Sequence, residues 1–90
     1  MLTIVRSNRF LKDLRLAKKR GLDLSLLEVV VTKLARQEKL EPQYMDHALK
    51  GEFQDFRECH IKPDWILIYS IDGDELELML FRTETHSDLF

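Results

Sequence analysis

The apolar positions along the chain follow two periods. Leu2 to Val5 is a short β-branched run that predicts a first strand. From Ser7 the spacing becomes helical: Phe10, Leu11, Leu14 and Ala17 share one face. Ser7 is placed to cap that helix, and Gly21 stands where a C′ residue belongs, behind a cationic last turn. A second helix opens at Asp23 or Ser25, where Ser25-Leu26-Leu27-Glu28 fits a capping box. It buries Leu27, Val30, Val31 and Leu34 and ends before Pro42. Two helices joined at a glycine turn form an αα-hairpin able to cover one sheet face.

The rest of the chain reads as strands. Residues 39 to 53 have no clear period, contain Pro42 and Gly51, and predict a connecting loop that carries His47. Phe56 to Tyr69 holds two strand-like pieces joined at Lys62-Pro63, and the run from Trp65 to Ile71 suits a central strand. Asp72-Gly73 is a hairpin signal, and a third strand follows at Glu75 to Arg82. Along it Leu76, Leu78 and Leu80 take one face and Glu77, Met79 and Phe81 the other. The order β, α, α, then three strands predicts an α+β fold in a single domain spanning residues 1–90. Its sheet is mostly antiparallel, two helices pack on one face, and a cleft lies on the other face or at its edge.

In an antiparallel meander the C-terminal ends of the first and third strands lie beside the start of the middle one. His60, Asp64, Trp65, Arg82 and His86 then meet at one edge of the sheet. The outer strands stand roughly 10 Å apart, a gap that a phosphodiester and its sugars can fill. Two imidazoles, a carboxylate and a guanidinium there point to a catalytic site.

Composition narrows the class. The chain has 90 residues, 44% of them hydrophobic and 33% charged, the balance of a soluble globular domain with a modest core. No apolar run approaches the roughly 20 residues that cross a bilayer, and the N-terminus lacks the layout of a signal peptide. With one cysteine, Cys59, no internal disulfide forms, so the cytoplasm is the expected location. Net charge is −2, but residues 1 to 20 hold seven basic side chains against one acidic. Lys12, Lys18 and Lys19 on that first helix are therefore either a polyanion-docking surface or a solvated face.

The pieces Asp46-His47-Ala48-Leu49-Lys50-Gly51, Arg57-Glu58-Cys59-His60-Ile61, Pro63-Asp64-Trp65-Ile66-Leu67-Ile68-Tyr69 and Arg82-Thr83-Glu84-Thr85-His86-Ser87-Asp88-Leu89-Phe90 carry a resemblance. Together they resemble the YafQ-type toxins of the bacterial RelE/ParE superfamily of toxin–antitoxin systems. The resemblance covers the whole chain and rests on a loop histidine, His-x-x-x-Asp-Trp, and Arg-x-x-x-His. It implies an endoribonuclease that enters the ribosomal A site and cleaves mRNA. A cognate antitoxin silences such a toxin, and operator DNA is bound only through the antitoxin complex. The family's catalytic positions fall on His47, His60, Asp64, Arg82 and His86, with Trp65 and Phe90 close to the site.

RNA cleavage of this kind uses the 2′-OH as nucleophile and needs a base, an acid and positive charge on the phosphate. Histidine suits both proton roles, and Arg82 is a planar fork for phosphate. The preferred assignment makes His86 the acid, with His60 or Asp64 the base. Arg57 is either a second phosphate contact or the partner of a nearby carboxylate. The bland alternatives are turn chemistry for Asp64, core packing for Trp65, tail anchoring for Phe90, and an ion pair to Glu84 or Asp88 for Arg82. Zinc on the histidines and Asp64 is disfavoured by the lack of regular ligand spacing, so no metal or cofactor is expected. Cys59 alternates to the face opposite His60. A ParE-like gyrase inhibitor, or a ribosome-binding inhibitor that does not cut, are the alternative functions.

Overall fold

The computed structural model describes residues 1–85. They run β1 (Thr3–Arg6), α1 (Asn8–Lys19), α2 (Leu24–Ala35), β2 (His47–Ala48), β3 (Arg57–Lys62), β4 (Trp65–Asp72) and β5 (Glu77–Thr85). The expected α+β architecture is observed, as one five-stranded sheet of order β1-β5-β4-β3-β2. Of its four strand pairs, only β1–β5 is parallel. The loop expected at 39 to 53 is partly structured, with β2 lying between 3₁₀ turns at Pro42–Tyr44 and Gly51–Phe53. Among the described residues no helix is long and apolar enough to cross a membrane.

Local chemistry sets the helix ends. The Ser7 hydroxyl accepts from the Phe10 amide at 2.9 Å, and also donates to the Phe81 carbonyl at 2.7 Å. The cap thus ties the start of α1 to β5. At the other end Leu22 donates to Ala17 and Gly21 to Lys18, the Schellman pattern, with Gly21 at φ +79°. α2 repeats that ending with Gln37 at φ +59°, where a side chain is less welcome. Its N-cap is Asp23, which accepts from the Ser25 amide at 3.0 Å; the capping box expected from Ser25 does not form.

Both helices cover one face of the sheet. Phe10 of α1 and Leu27, Val30, Val31 and Leu34 of α2 form a single cluster with Cys59, Ile61, Trp65, Leu67, Tyr69, Leu78 and Leu80. Removing this much apolar surface from water is the main favourable contribution to folding. Leu11, expected on the buried stripe of α1, is exposed, and Leu14 is half-buried.

β5 departs from the expected Glu75–Arg82. Four residues separate the paired Asp72 and Glu77, and Asp72 Oδ1 accepts from the amides of Asp74 (3.0 Å) and Glu75 (3.1 Å). The expected tight turn is thereby widened, and Leu76 sits exposed at φ +55° instead of in the core. The strand then continues through Thr85. Its register shifts between the Ile68–Arg82 and Tyr69–Leu80 pairs, so Phe81 is the extra residue of a β-bulge.

Candidate active site

The face away from the helices is built by alternation. Glu58 stands beside Ile68, which stands beside Arg82; one row along, His60, Ile66 and Glu84 are aligned in the same way. β2 adds His47 opposite Glu58. His47, His60 and Arg82 therefore share one open face, and the Phe56 and Phe81 rings meet there at 4.8 Å.

Each histidine is held by a carbonyl. His60 Nδ1 lies 3.1 Å from the Pro63 oxygen, and His47 Nδ1 lies 2.7 Å from the Met45 oxygen. A carbonyl oxygen only accepts, so each Nδ1 carries the proton and each Nε2 is left for chemistry. Glu58 sits between them, its two oxygens 3.7 Å from His60 Nε2 and 3.8 Å from His47 Nε2. Glu58 was not among the expected site residues, although its i, i+2 spacing to His60 along a strand signals a shared face.

His47 is positioned from the opposite side of the sheet. Its neighbour Asp46 accepts from Arg57 Nε (3.3 Å) and Nη2 (3.2 Å), and also from the Tyr69 hydroxyl. Of the two readings of Arg57, phosphate contact or partner of a nearby carboxylate, the second is the one observed. Its guanidinium is engaged by Asp46, and alternation along β3 sends it to the face opposite His60. Burial first, and then the hydrogen bond to Asp46, push the Tyr69 phenol up.

Arg82 is fixed at the sheet edge by two carboxylates. Its Nε lies 3.3 Å from Asp13 and its Nη2 3.1 Å from Glu84. Asp13 of α1 also accepts from the Thr83 amide at 3.2 Å, capping the stretch of β5 that runs beyond β1. The pair to Glu84 was one of the sequence alternatives. The pair to Asp13, 69 residues away, carried no sequence signal.

Trp65 is a correction. It is 1% exposed and lies in the core cluster, so it offers no platform to a nucleobase. Its indole N–H is satisfied by Thr83 Oγ1 at 2.8 Å. Asp64 is exposed in the Pro63-Asp64 turn, and among the described residues its carboxylate has no partner. Lys12, Lys18 and Lys19 are exposed on α1. Cys59 is fully buried, and burial pushes its thiol up to about 12, which removes it as a nucleophile. His86 and Phe90 lie outside the described residues.

A helical hairpin on one face of a five-stranded, mostly antiparallel sheet is the α+β fold of the YafQ and RelE-like toxin structures. The family model described as "Bacterial toxin of type II toxin-antitoxin system, YafQ" matches residues 2–90, and the chain belongs to that family. It is 41% identical over 85 residues to the mRNA interferase toxin YafQ of Escherichia coli K12, covering 93% of this chain and 90% of that one. A metal-bound toxin from Helicobacter pylori superposes with a TM-score of 0.91 at 52% identity, over 100% of both chains. YafQ in the E. coli DinJ–YafQ complex gives 0.87 at 37% identity, over 100% of this chain and 99% of that one. The chain is an enzyme of this class, an endoribonuclease. Among its described residues there is no group of three or more His, Cys, Asp or Glu side chains that could hold a metal ion.

Proposed function

We propose that the toxin cleaves mRNA in the ribosomal A site by acid–base chemistry, with the substrate 2′-OH as nucleophile and no metal. The observation that carries this reading is the pair of imidazoles on the open face, each with Nδ1–H bound to a carbonyl and Nε2 beside Glu58. An Nε2 lone pair fixed in this way suits a base toward the 2′-hydroxyl, the role we give His60, with Asp64 as the other candidate. His47 completes the histidine pair. On the family resemblance we assign His86 as the acid for the leaving 5′-oxygen and Phe90 as an RNA contact.

Arg82 stabilises the charge that develops on the phosphate. Asp13 and Glu84 hold its guanidinium by Nε and Nη2, and donors remain for non-bridging oxygens. The basic face of α1 docks the toxin on ribosomal RNA. A cognate antitoxin, as in the DinJ–YafQ complex of the E. coli relative, silences it by covering this cleft, and operator DNA is reached only through that complex. The toxin acts in the cytoplasm.

Mapping mRNA 5′ ends after induction tests the reading. Discrete new ends inside coding sequence, absent for His60→Gln, are expected. Arrested translation with intact mRNA would mean occupation without cleavage, and DNA gyrase damage would mean a ParE-like poison.

A further inference from the structure

An open groove of about 620 Å³ runs between the 3₁₀ turn at Pro42–Tyr44 and the β3–β4 turn. Gln43, Tyr44 and Met45 line it from the first segment and Ile61, Lys62 and Pro63 from the second, and it shares His60 with the site. These segments also hold the imidazoles, through the Met45 and Pro63 carbonyls. An occupant of the groove is therefore fixed relative to both histidines.

The lining is mostly apolar, with the polar groups of Gln43, Tyr44, His60 and Lys62 among it, the balance found in small-ligand sites. Unstacked RNA bases are held in this way, flat against aromatic or apolar side chains with hydrogen bonds at their edges. Met45 adds a separate observation. It is 61% exposed yet sits at φ +49°, a strained conformation for a bulky residue that gains nothing from the core.

We infer that this groove receives the nucleobase flanking the scissile phosphodiester and sets the base preference of cleavage. The inference rests on the reading that the open face cleaves RNA. Met45 and Gln43 then determine specificity without taking part in the chemistry.

Two variants test it from opposite directions. Met45→Gly removes one wall and suits the left-handed backbone, whereas Gln43→Trp fills the groove from an exposed position. Each is assayed on ribosomes programmed with all four bases at the nucleotides flanking the cut. Each is also titrated with an oligonucleotide made non-cleavable by a 2′-deoxy substitution and carrying 2-aminopurine at those positions. We expect Met45→Gly to lose about tenfold in discrimination between bases. Gln43→Trp should raise KM more than it lowers kcat and release the 2-aminopurine quenching seen with the wild type. Intact cleavage with unchanged base preference and unchanged fluorescence in both variants overturns the groove and leaves the nuclease standing. Quenching that Gln43→Trp abolishes, in a wild-type protein that cuts no RNA, supports the groove and overturns the nuclease reading.

Discussion

The indole N–H of Trp65 donates to the Thr83 hydroxyl at 2.8 Å, and that hydroxyl donates in turn to the Ile66 carbonyl at 2.8 Å. The relay joins β4 to β5 inside the core, directly behind the face that carries Arg82. Thr83→Val keeps the shape and removes both bonds, leaving a buried N–H without a partner. Urea unfolding should show a loss of about 1–3 kcal/mol, with cleavage specificity unchanged.

Glu58 faces the Nε2 atoms of His47 and His60 at 3.8 and 3.7 Å, too far for a direct hydrogen bond to either. Glu58→Gln should slow single-turnover cleavage by about an order of magnitude, less than the 10²–10⁴-fold typical of losing a general acid or base. An unchanged rate would reduce Glu58 to a surface residue.

The acid is separable from the base by leaving-group chemistry. His86→Gln should lose about 10²–10⁴-fold on an ordinary message. It should recover toward the wild-type rate on a substrate with sulfur at the 5′-bridging position, which hardly needs an acid. His60→Gln should stay slow on both substrates. Equal defects of His86→Gln on the two would assign it another role.

The docking role of α1 has its own signature. Replacing Lys12, Lys18 and Lys19 by Gln should weaken ribosome association. It should also flatten the salt dependence by about 0.7–0.9 log units per log salt for each phosphate that a lysine no longer neutralises. A folded triple mutant with the same affinity and slope would make the helix face merely solvated.

Alkaline stability follows from the sheet core. Burial pushes the Cys59 thiol up to about 12 from an ordinary value of 9.0, and the Tyr69 phenol also rises. Both are neutral when protonated, and the folded state keeps its protons longer than the unfolded one. Stability from this source is therefore complete below about pH 9 and falls as pH rises toward 12. Thermal melts from pH 7 to 11 should show Tm falling above pH 9, less steeply for Cys59→Ala. Native Cys59 should resist alkylation at pH 8.

Local periodicity determined much of this molecule. The Ser7 cap, the Gly21 ending, the buried stripe of α2, the central position of β4 and the opposite facings of Cys59 and His60 are all set by neighbours a few residues away. The histidine-bearing pieces were legible for the same reason. Leu78 and Leu80 share a face as alternation predicts, and that face is the core, but strict alternation from Leu80 sends Arg82 into the core as well. The bulge at Phe81 reverses the parity, turning Arg82 outward to the site and Thr83 inward to Trp65. Tertiary structure alone decided that, because a bulge is fixed by pairing with β4 and not by the order of residues in β5. It also decided that Asp13 meets Arg82, that Asp46 meets Arg57 and Tyr69, and that Glu58 falls between two histidines 13 positions apart. Charges near one another in sequence can be read off a repeat of 2 or 3.6, whereas partners brought together by strand register and helix docking cannot.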